Sequence, residues 1–176
     1  MEMKFRYRFE AAHRFVNSSS PACMTPHGHT WHATLHLQGL KNLNAENMIV
    51  EFSKVKSFWK TLLTDVFDHS YLCNSIDPLI ETILHTNPEA RLIKFPGDPT
   101  TEMISLLLFH KCELALTQSP ISEHVKVSGI TVEETPTNSI VCSREFYTEN
   151  MQNLKTPNCW WTTTDVTSRS FSPSLD

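Results

Sequence analysis

No stretch of this sequence approaches the roughly 18 to 20 uninterrupted apolar residues needed to cross a bilayer. The amino-terminal segment MEMKFRYRFE alternates polar with apolar residues, where a secretory signal would set a positive region before an apolar block. A cytoplasmic chain is therefore expected. There is no CxxC pair, so neither a zinc ribbon nor a redox dithiol is indicated, and the five cysteines, Cys23, Cys73, Cys112, Cys142 and Cys159, are odd in number and widely spread. At 176 residues the chain can fold without covalent staples, so free thiols are expected. Basic runs are missing too. With 15 Lys and Arg against 19 Asp and Glu the formal net charge is -4, and no nucleic-acid module is recognisable, which argues against a nucleic-acid partner. A local basic pocket for an anionic small molecule remains compatible with that total. What the chain does have is a hydrophobic fraction of 40%, enough for the core of one domain.

Met3, Phe5, Tyr7, Phe9 and Ala11 share one parity while Lys4, Arg6, Arg8 and Glu10 share the other, predicting a strand over 3–13 that carries His13 on its apolar side. Residues 16–29, VNSSSPACMTPHGH, read as a loop or broad turn. Alternation resumes from His29 to Gln38, with His29, Trp31, Ala33, Leu35 and Leu37 facing one way. A turn over 39–47 and a short extended piece over 48–52 follow. From Ser53 to Phe67 the period changes, since Val55, Phe58, Trp59, Leu62, Leu63 and Val66 recur at three and four residue steps, and a first helix is predicted. The connection over 70–97 holds Pro78, Pro88, Pro96 and Gly97, with a helical turn or two over 77–85.

A second helix is predicted to run through Leu116, capped by Asp98, with Pro99 at its first position and Glu102 adding negative charge near its start. It should bury Met103, Leu106, Leu107 and Leu114 or their close neighbours. Strands around 123–134 and 139–147 complete the pattern, the first with a bulge at Ser128-Gly129. The order ββααββ predicts an α+β fold, a four-stranded antiparallel sheet with two helices on one face. Residues 1–148 would form this domain. Residues 149–176 read as a C-terminal extension, partly disordered, with a mobile tail from residue 162. Trp160 and Trp161 either dock the start of that tail on the domain or on a neighbouring subunit, or are an incidental pair; the sequence leaves both open.

The densest chemical signal is His27-Gly28-His29. Side chains two apart in an extended segment point the same way, and Gly28 removes the side chain between them. His13, from the adjacent strand, completes a set of three imidazoles. Three neutral nitrogen donors with an open fourth position suit a catalytic Zn2+, which keeps enough charge to polarise an oxygen ligand. The alternative is a group of unrelated polar histidines near a loop. His32 and His36 have the opposite parity and are poor candidates for the same ion. Cys23, in the same loop, is open between a fourth ligand, a reactive thiol acting as its thiolate, and an inert cysteine. Asp68-His69 offers an imidazole oriented by a carboxylate, an acid or base pair, against the alternative of a polar pair ending a helix. Glu133 and Glu134 point to opposite faces of a regular strand, so one can enter a given pocket. There a carboxylate could accept two hydrogen bonds from an aminopyrimidine-like ring.

FEAAHRF at 9–15, CMTPHGHTW at 23–31, VEFSKVK at 50–56, FDHSYLCN at 67–74, DPTTE at 98–102 and VEET at 132–135 run through almost the whole domain. In that order they resemble the pterin synthase family that includes the 6-pyruvoyltetrahydropterin and bacterial 6-carboxytetrahydropterin synthases. The resemblance implies the tunnelling fold, in which four sequential antiparallel strands and two helices associate across subunits into a barrel, commonly a hexamer of two trimers. It implies Zn2+ on His13, His27 and His29, a catalytic cysteine at Cys23, a proton-transfer pair at Asp68 and His69, and a ring-anchoring acid at Glu134. Thr100 and Thr101 fall in the family's pterin-contacting region.

The four-residue step from Cys23 to His27 looks more like the carboxy branch. That branch converts 7,8-dihydroneopterin triphosphate and water to 6-carboxy-5,6,7,8-tetrahydropterin, acetaldehyde and triphosphate, on the way to queuosine. The resemblance also admits triphosphate elimination to the pyruvoyl product, or a pterin-binding relative without turnover. The chain departs from the family pattern at Glu51, where Asp is common, and in lacking the basic residue often found between the cysteine and the histidines. Its connection before Pro99 is longer, and its C-terminal extension is unusual. Arg14, Lys54, Lys56 and Lys94 are candidate phosphate contacts.

Overall fold

A computed structural model describes residues 1–151 and 158–171. The alternation at the start builds β1 (Glu2–His13), which buries Met3, Phe5, Phe9, Ala11 and His13 and exposes Lys4, Arg6 and Arg8. A single-turn helix, α1 (Pro21–Met24), leads into β2 (His27–Gly39). The two strands pair antiparallel from Glu2 opposite Gln38 to His13 opposite His27. Trp31, Ala33, Leu35 and Leu37 of β2 are fully buried on the face that β1 also turns inward.

The first long helix, α2 (Phe52–Thr61), begins at Phe52, so no extended piece precedes it as expected; it runs on into a π-helical turn over Leu62–Phe67. That wider turn keeps Leu62, Leu63, Val66 and Phe67 all in the core. The next connection holds more structure than its prolines suggest: β3 (Ser70–Asn74), α3 (Leu79–Thr86) and β4 (Leu92–Phe95). Then come α4 (Thr101–Thr117), β5 (Val125–Thr135), β6 (Asn138–Ser143) and α5 (Arg144–Asn150).

The sheet therefore has six strands, in the order β4-β3-β1-β2-β5-β6, and corrects the expected four-stranded antiparallel sheet. The extra strands pair in parallel, β3 with β1 over three residue pairs and β4 with β3 over four. β3 is buried almost throughout and β4 alternates over only four residues at the sheet edge, runs too short for a periodicity reading to single out. The last predicted strand is also cut short. Ser143 ends it by capping α5, its hydroxyl accepting from the Phe146 amide at 3.2 Å. The bulge in β5 is present as expected, with His36 opposite Gly129 but Leu37 opposite Val127.

The cap of α4 is Thr100, whose hydroxyl accepts from the Met103 amide at 3.2 Å, and not Asp98. Asp98 turns back to the loop after β1 and accepts from the amides of Val16 and Asn17 and from Asn74. Every residue of α4 from Ile104 to Cys112 is buried. Leu106 and Leu107 are among them, whereas Met103 and Leu114 are only partly covered. A helix apolar all round needs cover on both sides. The sheet supplies one side, and residues after 158 supply the other.

Trp160 and Trp161 are fully buried, and the Trp160 indole donates to the Lys94 carbonyl at 3.0 Å. Lys111, also fully buried, donates to the carbonyls of Trp160, Thr163 and Asp165. A buried ammonium without such partners costs several kcal/mol, so Lys111 and this segment hold one another in place. The tail expected to be mobile from residue 162 is thus packed on the domain as far as Phe171, and residues 152–157 and 172–176 lie outside the described part. Among the described residues no helix is long and apolar enough to cross a membrane.

His110 sits inside α4 at 5% exposure with Nδ1 2.9 Å from the Tyr147 hydroxyl. Burial, with the nearby Lys111 charge, pushes its pKa down to about 4, and burial does the same to His13. In the unfolded chain both would titrate near 6.5. Their neutral forms therefore contribute stability that is complete above pH 6.5 and is lost as the pH falls toward 4. The urea midpoint of the metal-free protein should drop steeply across that window. In His110→Gln the accompanying loss of unfolding free energy should be smaller by about 2 to 3 kcal/mol, and parallel curves for the two proteins would refute the assignment.

Candidate metal centre and active site

The core-facing parity of β1 and β2 continues past the last large apolar side chains, and there it delivers three imidazoles. His13 closes β1 directly opposite His27, and His29 lies opposite Ala11. One ring nitrogen from each of His13, His27 and His29 falls within 4.8 Å of the others. His13 is fully buried and the other two are partly open.

Their tautomers are set by backbone carbonyls. His13 Nδ1 donates to the Pro99 carbonyl at 3.0 Å and His27 Nδ1 donates to the Thr25 carbonyl at 2.7 Å. Each neutral ring then presents a bare lone pair on Nε2, and these two nitrogens lie 3.1 Å apart. Facing lone pairs at that distance repel, and a cation between them removes the repulsion. Two nitrogens on one tetrahedral Zn2+ stand about 3.3 Å apart, from bonds of about 2.0 to 2.1 Å. The donor set therefore fits a zinc ion, with carbonyls in the outer positions that orient ligand imidazoles. Burial lowers the pKa of both His13 and His29, opposed by the Pro99 bond on the first and Glu134 beside the second, and the neighbouring imidazoles add to the lowering.

Glu134 completes this side. Its Oε1 lies 3.6 Å from His13 Nε2 and 3.9 Å from His29 Nε2. Glu133 points the other way to Arg6 at 2.9 Å, the opposition expected of neighbours on a strand. A second irregularity in β5 sits here, since Glu133 is opposite Ser139 but Thr135 is opposite Asn138, leaving Glu134 as the extra residue. Glu134 shares a cleft of about 230 Å³ with Thr100, Thr101, Phe15 and Asn138. Three of the sequence-derived residues, Glu134, Thr100 and Thr101, are thus brought together beside the histidines.

Asp68 and His69 form a pair, with His69 Nδ1 2.7 Å from Asp68 Oδ2. His69 has φ of 56°, a left-handed conformation that costs a non-glycine residue about 1 to 3 kcal/mol. The His69 amide donates to the Glu10 carbonyl at 2.6 Å, and the Glu10 amide donates to Asp68 Oδ1 at 2.8 Å, which holds the turn to β1. Burial pushes the Asp68 carboxyl up, but the Glu10 amide, His69 and Arg91 outweigh it and keep its pKa below the usual range.

Among the described residues the pair lies outside the converging set of ligand atoms. It stands on the β3 side of β1 while His29 stands on β2, two strand spacings or roughly 9 to 10 Å away. His69, 75% exposed, lines with His29, Glu10, Ala12, Thr30 and Tyr71 a cleft of about 510 Å³.

Cys23 is a free, partly exposed thiol on α1, and its carbonyl accepts from the Phe15 amide at 2.8 Å. Phe15 packs on the His13 ring. Among the described residues the converging ligand atoms come from the three histidines alone, without Cys23.

Arg14 is committed elsewhere than to a phosphate. It donates to both oxygens of Asp77, whose side chain is fully buried and also accepts from the Tyr71 hydroxyl. Burial pushes the Asp77 carboxyl up, yet Arg14, the Leu79 amide and Tyr71 bring its pKa below the ordinary range. Lys54 pairs with Glu51, and Lys94 lies under Trp160 through its carbonyl. The hold of Asp77 and Asp98 on the loop after His13 was not legible in the sequence, which marks Asp98 only as a helix cap. Their partners are 63 and more than 80 residues away, and no local pattern marks such pairs.

Fold and site together define an α+β protein with a candidate three-histidine metal centre at the end of its core. A family model described as 6-pyruvoyl tetrahydropterin synthase matches residues 2–145, and the chain belongs to that family. It is 27% identical over 129 residues to a probable 6-carboxy-5,6,7,8-tetrahydropterin synthase of Halobacterium salinarum, covering 73% of this chain and 77% of that one. It is 23% identical over 155 residues to the 6-carboxy-5,6,7,8-tetrahydropterin synthase of Rickettsia bellii, covering 88% and 94%. The crystal structure of the Plasmodium vivax 6-pyruvoyl tetrahydropterin synthase superposes with a TM-score of 0.59 at 16% identity, covering 82% and 98%, a likeness of fold.

Proposed function

We propose that this chain is a zinc-dependent lyase that converts 7,8-dihydroneopterin triphosphate and water to 6-carboxy-5,6,7,8-tetrahydropterin, acetaldehyde and triphosphate. The observation that carries the proposal is the pair of facing Nε2 lone pairs on His13 and His27, with Glu134 beside them. The sequence relatives named as carboxytetrahydropterin synthases favour this product over the pyruvoyl one.

His13, His27 and His29 would hold the ion. Bound there, Zn2+ supplies Lewis-acid polarisation of the side-chain oxygens of the substrate. Glu134 accepts hydrogen bonds from the ring amino and amide groups, and Thr100 and Thr101 line the same cleft. Cys23, whose carbonyl accepts from the Phe15 amide, takes a proton from the substrate side chain, and His69, oriented by Asp68, handles the second proton.

The pair lies outside the converging imidazoles of its own chain, and in this reading the active unit is the homo-oligomer that the family resemblance implies. A neighbouring copy brings its Asp68-His69 pair to the histidine centre, in keeping with the hexamer that the family resemblance implies.

Incubating the zinc-loaded protein with 7,8-dihydroneopterin triphosphate and weighing the products tests this. Carboxytetrahydropterin and acetaldehyde are expected. A pyruvoyl product would move the chain to the other branch, and tight binding without any product would make it a pterin-binding protein.

A further inference from the structure

The segment over 158–171 lies beyond the residues matched to the family, yet it returns to the base of the Asp68-His69 turn by two separate contacts. Trp160 packs edge-on against Phe67, the residue before Asp68, with ring centroids 5.5 Å apart. Arg169 donates from its guanidinium to the Asp65 carbonyl. Arg91 serves the same place, donating to the carbonyls of Asp65 at 2.9 Å and Asp68 at 3.1 Å. The last carbonyls of a helix lack partners within it, and cations there complement the dipole.

A left-handed His69 has to be held from both sides. Toward β1 it is held by the two bonds with the Glu10 backbone. On the helical side, from which the chain arrives, the Asp68 amide donates to the Leu63 carbonyl at 2.9 Å, both arginines donate to the Asp65 carbonyl, and the Ser70 hydroxyl donates to that of Val66. Arg91 belongs to the family-matched part of the chain, whereas Arg169 arrives on the added segment. That segment is itself fixed to α4 by the three carbonyls on Lys111 and to β4 by the Trp160 indole.

We infer that Arg169 is a positioning residue for the Asp68-His69 pair, fixing through the Asp65 carbonyl the helix end from which the pair projects. The catalytic consequence rests on the function proposed above; the structural part does not.

The test uses the full zinc-loaded chain with Arg169→Ala and Arg169→Lys. Amide hydrogen exchange at Asp68 and His69 should quicken about tenfold in the alanine variant and by less in the lysine variant, which keeps a cation there. Exchange at Trp31 and Ala33 and the zinc content should not change. Turnover should fall about five- to tenfold in kcat, with KM within about twofold, since orientation and not ring binding is disturbed. Unchanged exchange at the two amides would overturn the inference, and so would acceleration extending to Trp31 and Ala33, which would mean a general loss of stability. If the exchange responds but the parent protein makes no product, the proposed chemistry fails and the positioning role stands. If the parent turns over and the exchange is unmoved, the reverse holds.

Discussion

His27→Ala should leave the purified protein without its metal and without turnover. His27 is the ligand whose loss is easiest to interpret, because it is partly open and its Nδ1 partner is a single loop carbonyl at 2.7 Å. Removing the fully buried His13 would also strip the Pro99 carbonyl of its donor and leave a hole against Trp31 and Phe15. With two imidazoles left, the site falls below the three protein ligands of a catalytic zinc. Disturbing only the outer partners of metal ligands costs about 10- to 100-fold, so loss of a ligand should cost more than about a hundredfold in kcat/KM. The control is His32→Ala. His32 is paired with Glu133 on the outward parity of β2, so its loss should leave the metal in place. Full zinc stoichiometry in His27→Ala, measured by elemental analysis, would remove His27 from the ligand set.

Cys23→Ala separates chemistry from metal binding. With Cys23 outside the converging set of ligand atoms, the variant should keep full zinc stoichiometry while kcat drops about 10²- to 10⁴-fold, the usual contribution of a positioned acid or base. Loss of zinc in parallel with activity would make Cys23 a fourth ligand and the site a closed, structural one. Retention of both would make it an inert thiol.

Much of this site was legible because it rides on strand parity. Alternation along β1 and β2 places His13, His27 and His29 on one face, and the same rule separates Glu134 from Glu133 and sets His32 and His36 apart. The Asp68-His69 pair was legible as neighbours, but its place across β1 from His29 was not, because no alternation marks β3, which pairs in parallel with β1 and follows the pair. The docked C-terminal segment had a visible signal in the run ISLLLFHKC. That run is apolar on every side of a helix and so demands a second cover, which Trp160 and Trp161 provide. Asp77 left no trace and Asp98 was legible only as a helix cap, since the loop partners of both carboxylates are assembled by the fold.

The histidine centre and the apolar core lie on one continuous face of β1 and β2, with His13 two residues beyond Ala11 and His29 two residues before Trp31. Displacing β1 by a single residue against β2 would turn its apolar side chains and His13 outward together. Metal uptake therefore proofreads strand pairing. In a refolding mixture, chains caught out of step could not assemble the three imidazoles, and sorting molecules by bound metal would sort them by correct register.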